Sequence, residues 1–207
     1  MRKKNLTKTN SSGFTLIELL VTLSIFAITT GIVMTSQGKF DNSVLLTNTA
    51  YDIALTLRQA QTYGVNVKES ETVSGNFKYS YGLYFDKNAN NKRFIMFFDN
   101  DNDYKISDTG ITCPQGDLEC VASYKIKRGH YIENICAWKE GEIECETQDS
   151  LNITFKRPNP EANILAGTDT YSAGNLKKSA EITISSADGS ATRTIVVTKV
   201  GQIYVKR

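Results

Sequence analysis

The sequence predicts an α+β protein, a long N-terminal helix apolar enough in its first half to span a membrane, followed by a domain of antiparallel β-strands. Three observations carry that expectation. Residues 19–38 form a run of twenty without a charge. Residues 46–64 keep a helical period after the chain has turned polar. Beyond residue 65, short runs of Tyr, Phe, Ile, Val and Thr alternate with turn residues. At 207 residues the chain has room for one domain of ordinary size beside a membrane segment.

The net charge of +2 is unevenly spread. Arg2, Lys3, Lys4 and Lys8 precede residue 13 with no acid among them. Without those four, 20 basic residues face 22 acidic ones, a net of −2. A bulk nucleic-acid binder would carry a basic stripe on its folded part, so nucleic acid is not an expected partner.

The first element is the apolar helix. Twenty helical residues rise about 30 Å, the thickness of a bilayer core. The basic residues ahead of it favour a cytoplasmic N-terminus, which puts the bulk of the chain outside the cytoplasm. A secretory signal peptide would have an apolar stretch of about 7–15 residues and a small-residue cleavage site. Here the run is longer, and no Ala-x-Ala follows. A plain anchor fits the length but leaves Glu18 unexplained. A carboxylate costs roughly 2.5–3.5 kcal/mol near the middle of a span and less toward its edge, so Glu18 calls for a partner.

Gly13-Phe14-Thr15-Leu16-Ile17-Glu18-Leu19-Leu20, placed after a basic leader, strongly resembles the processing motif of type IV pilins and of the pseudopilins of type II secretion. The resemblance implies that a prepilin peptidase cuts between Gly13 and Phe14 and methylates the new amine of Phe14. Glu18 then becomes the fifth mature residue. Its carboxylate neutralises the ammonium of a neighbouring subunit as subunits stack, because an unpaired charge in low dielectric is expensive. Other pilin or pseudopilin subunits, an inner-membrane assembly platform and membrane lipid are the partners so implied. The chain divides accordingly into a leader (1–13), a transmembrane helix (14–38), an amphipathic continuation (39–64) and an extracytoplasmic β-rich domain (65–207).

In the continuation, Leu46, Ala50, Ile53, Leu57, Ala60 and Gly64 lie on one helical face, with Asp52, Arg58, Gln59 and Gln61 off it. This segment is either a separate surface helix after a linker at 38–43 or, as the resemblance implies, the second half of one long helix packed on the globular domain. Gly64 is its expected stop.

Strands are expected at 79–85, 94–98, 121–127, 131–138, 151–155, 162–165, 180–185, 193–199 and 202–205. Asp188-Gly189 marks a hairpin turn, and Gly201 a tight reversal into the last strand. Ile182 and Ile184 alternate with Thr183 and Ser185, which suits a sheet with one wet face. The layout resembles the minor pseudopilin H and FimT-like branch, which has a helix and then two antiparallel sheets. Residues 57–61 sit where that branch carries a Leu-Arg-x-Ala pattern, and residues 180–205 resemble its C-terminal hairpin. Phe77, Tyr79, Tyr81, Tyr84, Phe85, Phe94, Phe97 and Phe98 are expected chiefly in the core, with any exposed subset free to meet a partner.

Cys113, Cys120, Cys136 and Cys145 are even in number and extracytoplasmic, which points to disulfides, and three connectivities exist. The nearest pairing is Cys113 with Cys120 and Cys136 with Cys145. Zinc is the rival, although no Cys-x-x-Cys pair occurs, and free buried thiols are the alternative in a reducing exterior. Asp99, Asp101, Asp103 and Asp108 can converge on one hard cation and make calcium the single candidate cofactor. Tyr104 stands where such loops carry glycine, and no acid follows at Gly110, so a solvated acidic turn is the competing reading.

His130, the only histidine, reads as a loop or strand-edge residue. No Gly-x-Ser-x-Gly, P-loop or His-Glu-x-x-His occurs, so the chain reads as the substrate of a peptidase and not as an enzyme. The expected function is that of a minor pseudopilin in a type II secretion pseudopilus. The alternative is a minor type IV pilin for adhesion, motility or DNA uptake. Either would reside as a single-pass protein of the inner membrane and then in an extracytoplasmic filament.

Overall fold

A computed structural model describes residues 13–66, 79–107, 113, 119–172 and 174–206. Among these residues are one helix and ten strands, α+β with two antiparallel sheets. The chain divides into two compact units, Met1–Asp41 and Asn42–Arg207. Helix α1 (Leu16–Val65) is continuous across that boundary, so no linker interrupts it at 38–43.

In the larger unit, sheet A has the order β3-β2-β1-β6-β7, from Cys120–Lys125, Arg93–Asp99, Ser80–Asp86, Ser150–Phe155 and Ala162–Ala166. Sheet B has the order β10-β9-β8-β4-β5, from Ile203–Lys206, Thr192–Thr198, Ser179–Ser185, Tyr131–Trp138 and Glu146–Thr147. Every pairing is antiparallel. The short β5 has no counterpart among the expected strands. Its two residues, Glu146 and Thr147, are exposed, so no apolar pattern marks them.

The helical stripe read from the sequence is the spine of the core. Leu46, Ala50, Ile53, Leu57 and Ala60 are buried in one cluster with Leu83 and Phe85 of β1, Ile153 and Phe155 of β6, Ile182 of β8 and Ile195 of β9. Each Leu or Ile so buried contributes about 1.5–3 kcal/mol. Amphipathic packing of this kind, more than helix propensity, holds α1 over these turns.

Gly64 does not stop the helix, which continues through Val65. A Cβ at Gly64 would land on the Phe155 carbonyl, so glycine is there to let helix and strand approach. The Gly64 carbonyl, one of those a helix end leaves unpaired, accepts the Arg157 amide at 3.0 Å.

The helix also ties down the C-terminal hairpin. Arg58 donates to the Ile203 carbonyl at 3.1 Å, and the Gln61 amide donates to Pro160 and Gly201 carbonyls at 2.9 and 3.0 Å. Arg193 on β9 reaches back to Ser43 and Thr47, with its Nη2 and Nε donating to their hydroxyls at 2.8 and 3.0 Å. The predicted turn residues Gly189 and Gly201 both have positive φ, 70° and 84°. Of the aromatic group, Tyr81, Tyr84, Phe85, Phe94, Phe97 and Phe98 are buried, while Phe77 lies outside the described residues.

Candidate functional site

The smaller unit carries the features that the sequence singles out. Gly13, Phe14 and Thr15 precede the first turn of α1. Thr15 is the N-cap: its carbonyl accepts the Leu19 amide at 3.2 Å, and its Oγ1 accepts the Glu18 amide at 3.3 Å. Thr15 and Glu18 have the spacing of a capping box, a signal legible in the sequence that the reading of Glu18 as a filament contact passed over. A carboxylate at the third helical position also complements the positive end of the helix.

The Gly13–Phe14 bond therefore lies just outside the hydrogen-bonded helix. Nothing stands within 4 Å of a Cβ built at Gly13, and Phe14 is exposed. A peptidase needs backbone that is open, and the surroundings of Gly13 and Phe14 leave it so. Leu16–Met34 is long and apolar enough to cross a membrane by length and composition. Within it, Thr22, Ser24 and Thr29 donate their hydroxyls to the carbonyls of Leu19, Leu20 and Phe26 at 2.9, 2.8 and 3.0 Å. Those hydroxyls are thus satisfied within the helix and need no water. Glu18 is the one ionisable side chain of that stretch.

The acidic loop after β2 is built differently from its sequence reading. Asp99 is fully buried. Its carboxylate accepts the Ser80 hydroxyl at 2.6 Å and the amides of Asp103 and Tyr104 at 3.1 and 3.3 Å. Asp99 and Asp101 each bring one carboxylate oxygen within 4.8 Å of Glu119, so among the described residues these three could hold a hard cation. Asp103 is not in that group; its carboxylate turns back to accept the Lys105 amide at 2.8 Å. Asp108 lies outside the described residues.

Glu119 has no sequence signal. It enters from the far end of the loop, where it accepts the amides of Asn100 and Ser107 at 3.1 and 2.7 Å. Burial pushes the Asp99 carboxyl up to about 6, against the hydrogen bonds from Ser80 and Tyr104. Burial, and secondarily the charge of Asp101, also raises Asp103. Asn102 and Tyr104 take positive φ, 65° and 62°, so the loop makes its reversal without the usual glycine.

His130 is buried, and its Nδ1 lies 3.0 Å from the Thr49 hydroxyl. That hydroxyl donates its single proton to the Leu45 carbonyl at 3.0 Å, which makes Nδ1–H the donor to Thr49. Burial, then the charge of Arg128, lowers the histidine pKa, and Asp188 opposes them. The residue is a structural tie between α1 and the loop ahead of β4. Cys113 pairs with Cys120 and Cys136 with Cys145, with Cα separations of 5.5 and 5.6 Å.

A helix long and apolar enough to cross a membrane, an exposed Phe14 just ahead of it and a sheet domain in the larger unit are thus found in one chain. A family model described as the prokaryotic N-terminal methylation motif matches residues 8–34. No curated protein and no solved structure matches the chain. The chain carries the processing motif of the type IV pilin and pseudopilin family, whose members are structural subunits.

Proposed function

We propose that this chain is a minor pseudopilin of a type II secretion pseudopilus. The observation that carries the reading is the methylation motif at residues 8–34, set on the open Gly13–Phe14 bond at the head of an apolar helix. The leader holds the chain in the inner membrane with its sheet domain outside. Prepilin peptidase cuts after Gly13 and methylates Phe14. The helix then packs among neighbouring subunits, and the Glu18 carboxylate meets the Phe14 ammonium of one of them. Support for the pseudopilin branch is the arrangement of one helix and two antiparallel sheets, together with the acidic balance of the mature chain.

Deletion of the gene in its own host separates this reading from a minor type IV pilin. Loss of protein secretion with surface pili intact is the expected result. Loss of adhesion, motility or DNA uptake with normal secretion would transfer the chain to the pilus.

Calcium at Asp99, Asp101 and Glu119 is part of the same reading, supported by three oxygen donors of which two are buried. Calorimetric titration of the full chain with calcium chloride should give a saturable signal that Asp101→Asn weakens. A flat titration at millimolar calcium would remove the ion from the account.

A further inference from the structure

Two exposed features of the larger unit match each other in charge and polarity. The first is the loop joining β4 to β5, whose ends the Cys136–Cys145 disulfide holds 5.6 Å apart. It raises Ile143, which is 91% exposed, between Glu142 and Glu144, with Glu140 and Glu146 also exposed. A large aliphatic side chain so fully in water gives nothing to this fold. The disulfide-closed loop has already lost much of the freedom that docking would otherwise remove.

The second is a groove of about 370 Å³ between α1 and the end of β3. Its floor is the stacked pair Phe94 and Tyr124, with ring centroids 5.2 Å apart and planes at 10°. Lys125 and Lys127, both exposed, line the strand side, and Leu55, also exposed, lines the helix side. Asp52 is the one acid in the lining, and it stands on the helix side.

We propose that the loop at 139–146 of one copy of this chain docks in the groove of a second copy. Ile143 covers the Phe94–Tyr124 floor beside Leu55, and Glu142 and Glu144 face Lys125 and Lys127. Asp52 fixes the orientation by repelling the glutamates from the helix side. A second copy is the occupant because an acidic rim around an apolar tip complements a basic rim beside an apolar floor, and one chain carries both in equal number. Two different patches of the same chain make a head-to-tail contact, in contrast to the self-complementary contact of a two-fold dimer. The contact uses neither the leader nor the membrane helix. It therefore holds in the uncleaved chain and stands apart from the processing reading.

The test uses the full uncleaved chain in detergent, with a photoreactive benzophenone amino acid in place of Ile143. Light and heavy isotope-labelled copies are mixed before irradiation. The expected cross-link joins position 143 of one copy to residues 52–59 or 124–127 of the other. The double change Lys125→Glu and Lys127→Glu should lower its yield about tenfold, as should Glu142→Lys with Glu144→Lys, and the four together should restore it. Because Ile143 is almost wholly in water, Ile143→Ser keeps the fold and should abolish copy–copy association by sedimentation. Cross-links confined to one copy, or landing elsewhere on the second, would overturn the proposal. So would a yield indifferent to the charge reversals, or an Ile143→Ser chain that associates as before.

Discussion

Single residues in this protein do work that their type alone does not announce. Glu18 is both a helix-start residue and the only charge in an otherwise apolar span. Glu18→Gln keeps the capping geometry but removes the charge. It should leave cleavage after Gly13 intact and lower incorporation into filaments, as measured by shearing and immunoblot. Gly64→Ala would gain up to about 1 kcal/mol of helix propensity. The added methyl falls on the Phe155 carbonyl, however, and overpacking of this kind costs about 1–3 kcal/mol, so the net effect on denaturant unfolding should be a loss.

His130 gives the fold a pH dependence of defined sign. Its pKa lies below the ordinary 6.5, so the unfolded chain binds more protons than the folded one between the lowered pKa and 6.5. Its contribution is complete above pH 6.5 and is lost as the pH falls from there. Asp99 acts in the opposite sense, since a carboxyl raised from 3.8 to about 6 favours the folded state as it takes up its proton. The difference between wild type and His130→Gln isolates the histidine. Melting temperatures from pH 8 to 5 should show the variant losing less stability on acidification than the wild type.

At the scale of elements, the second half of α1 sets the stability of the sheet domain. Leu57 is fully buried among residues of the main core, and Leu57→Ala should cost about 2–5 kcal/mol in chemical denaturation. Each disulfide closes a short loop, so replacing either pair by serine should cost at most about 2–3 kcal/mol. What the sequence made legible follows from these magnitudes. The stripe from Leu46 to Ala60 and the strand runs are regular because burial repeats with the element's period. Nine of the ten strands fell where such runs lie.

The features that sequence reading missed are set by contacts between distant parts of the chain. Gly64 looked like a stop because nothing local shows Phe155 passing over it. Glu119 joins Asp99 and Asp101 across the whole loop between β2 and β3, so no spacing rule could have found it. Asp103 shows the converse, with the right spacing but a side chain engaged by its own turn. Ser185, expected on the wet face of β8, is buried, because position in the strand sets only the facing and not what covers it.

For the whole molecule, the account rests on one covalent event. The motif at residues 8–34 points to it, the cap at Thr15 starts the helix just past the proposed cut after Gly13, and Leu16–Met34 is long and apolar enough to cross a membrane. Intact mass and N-terminal sequencing of the membrane-extracted chain, made with and without an active prepilin peptidase, test that event directly. Loss of residues 1–13 and a methylated Phe14 at the new terminus, only where the peptidase is present, is the predicted result. A chain that still begins at Met1 beside an active peptidase would contradict the account and leave a sheet domain tethered by an ordinary anchor.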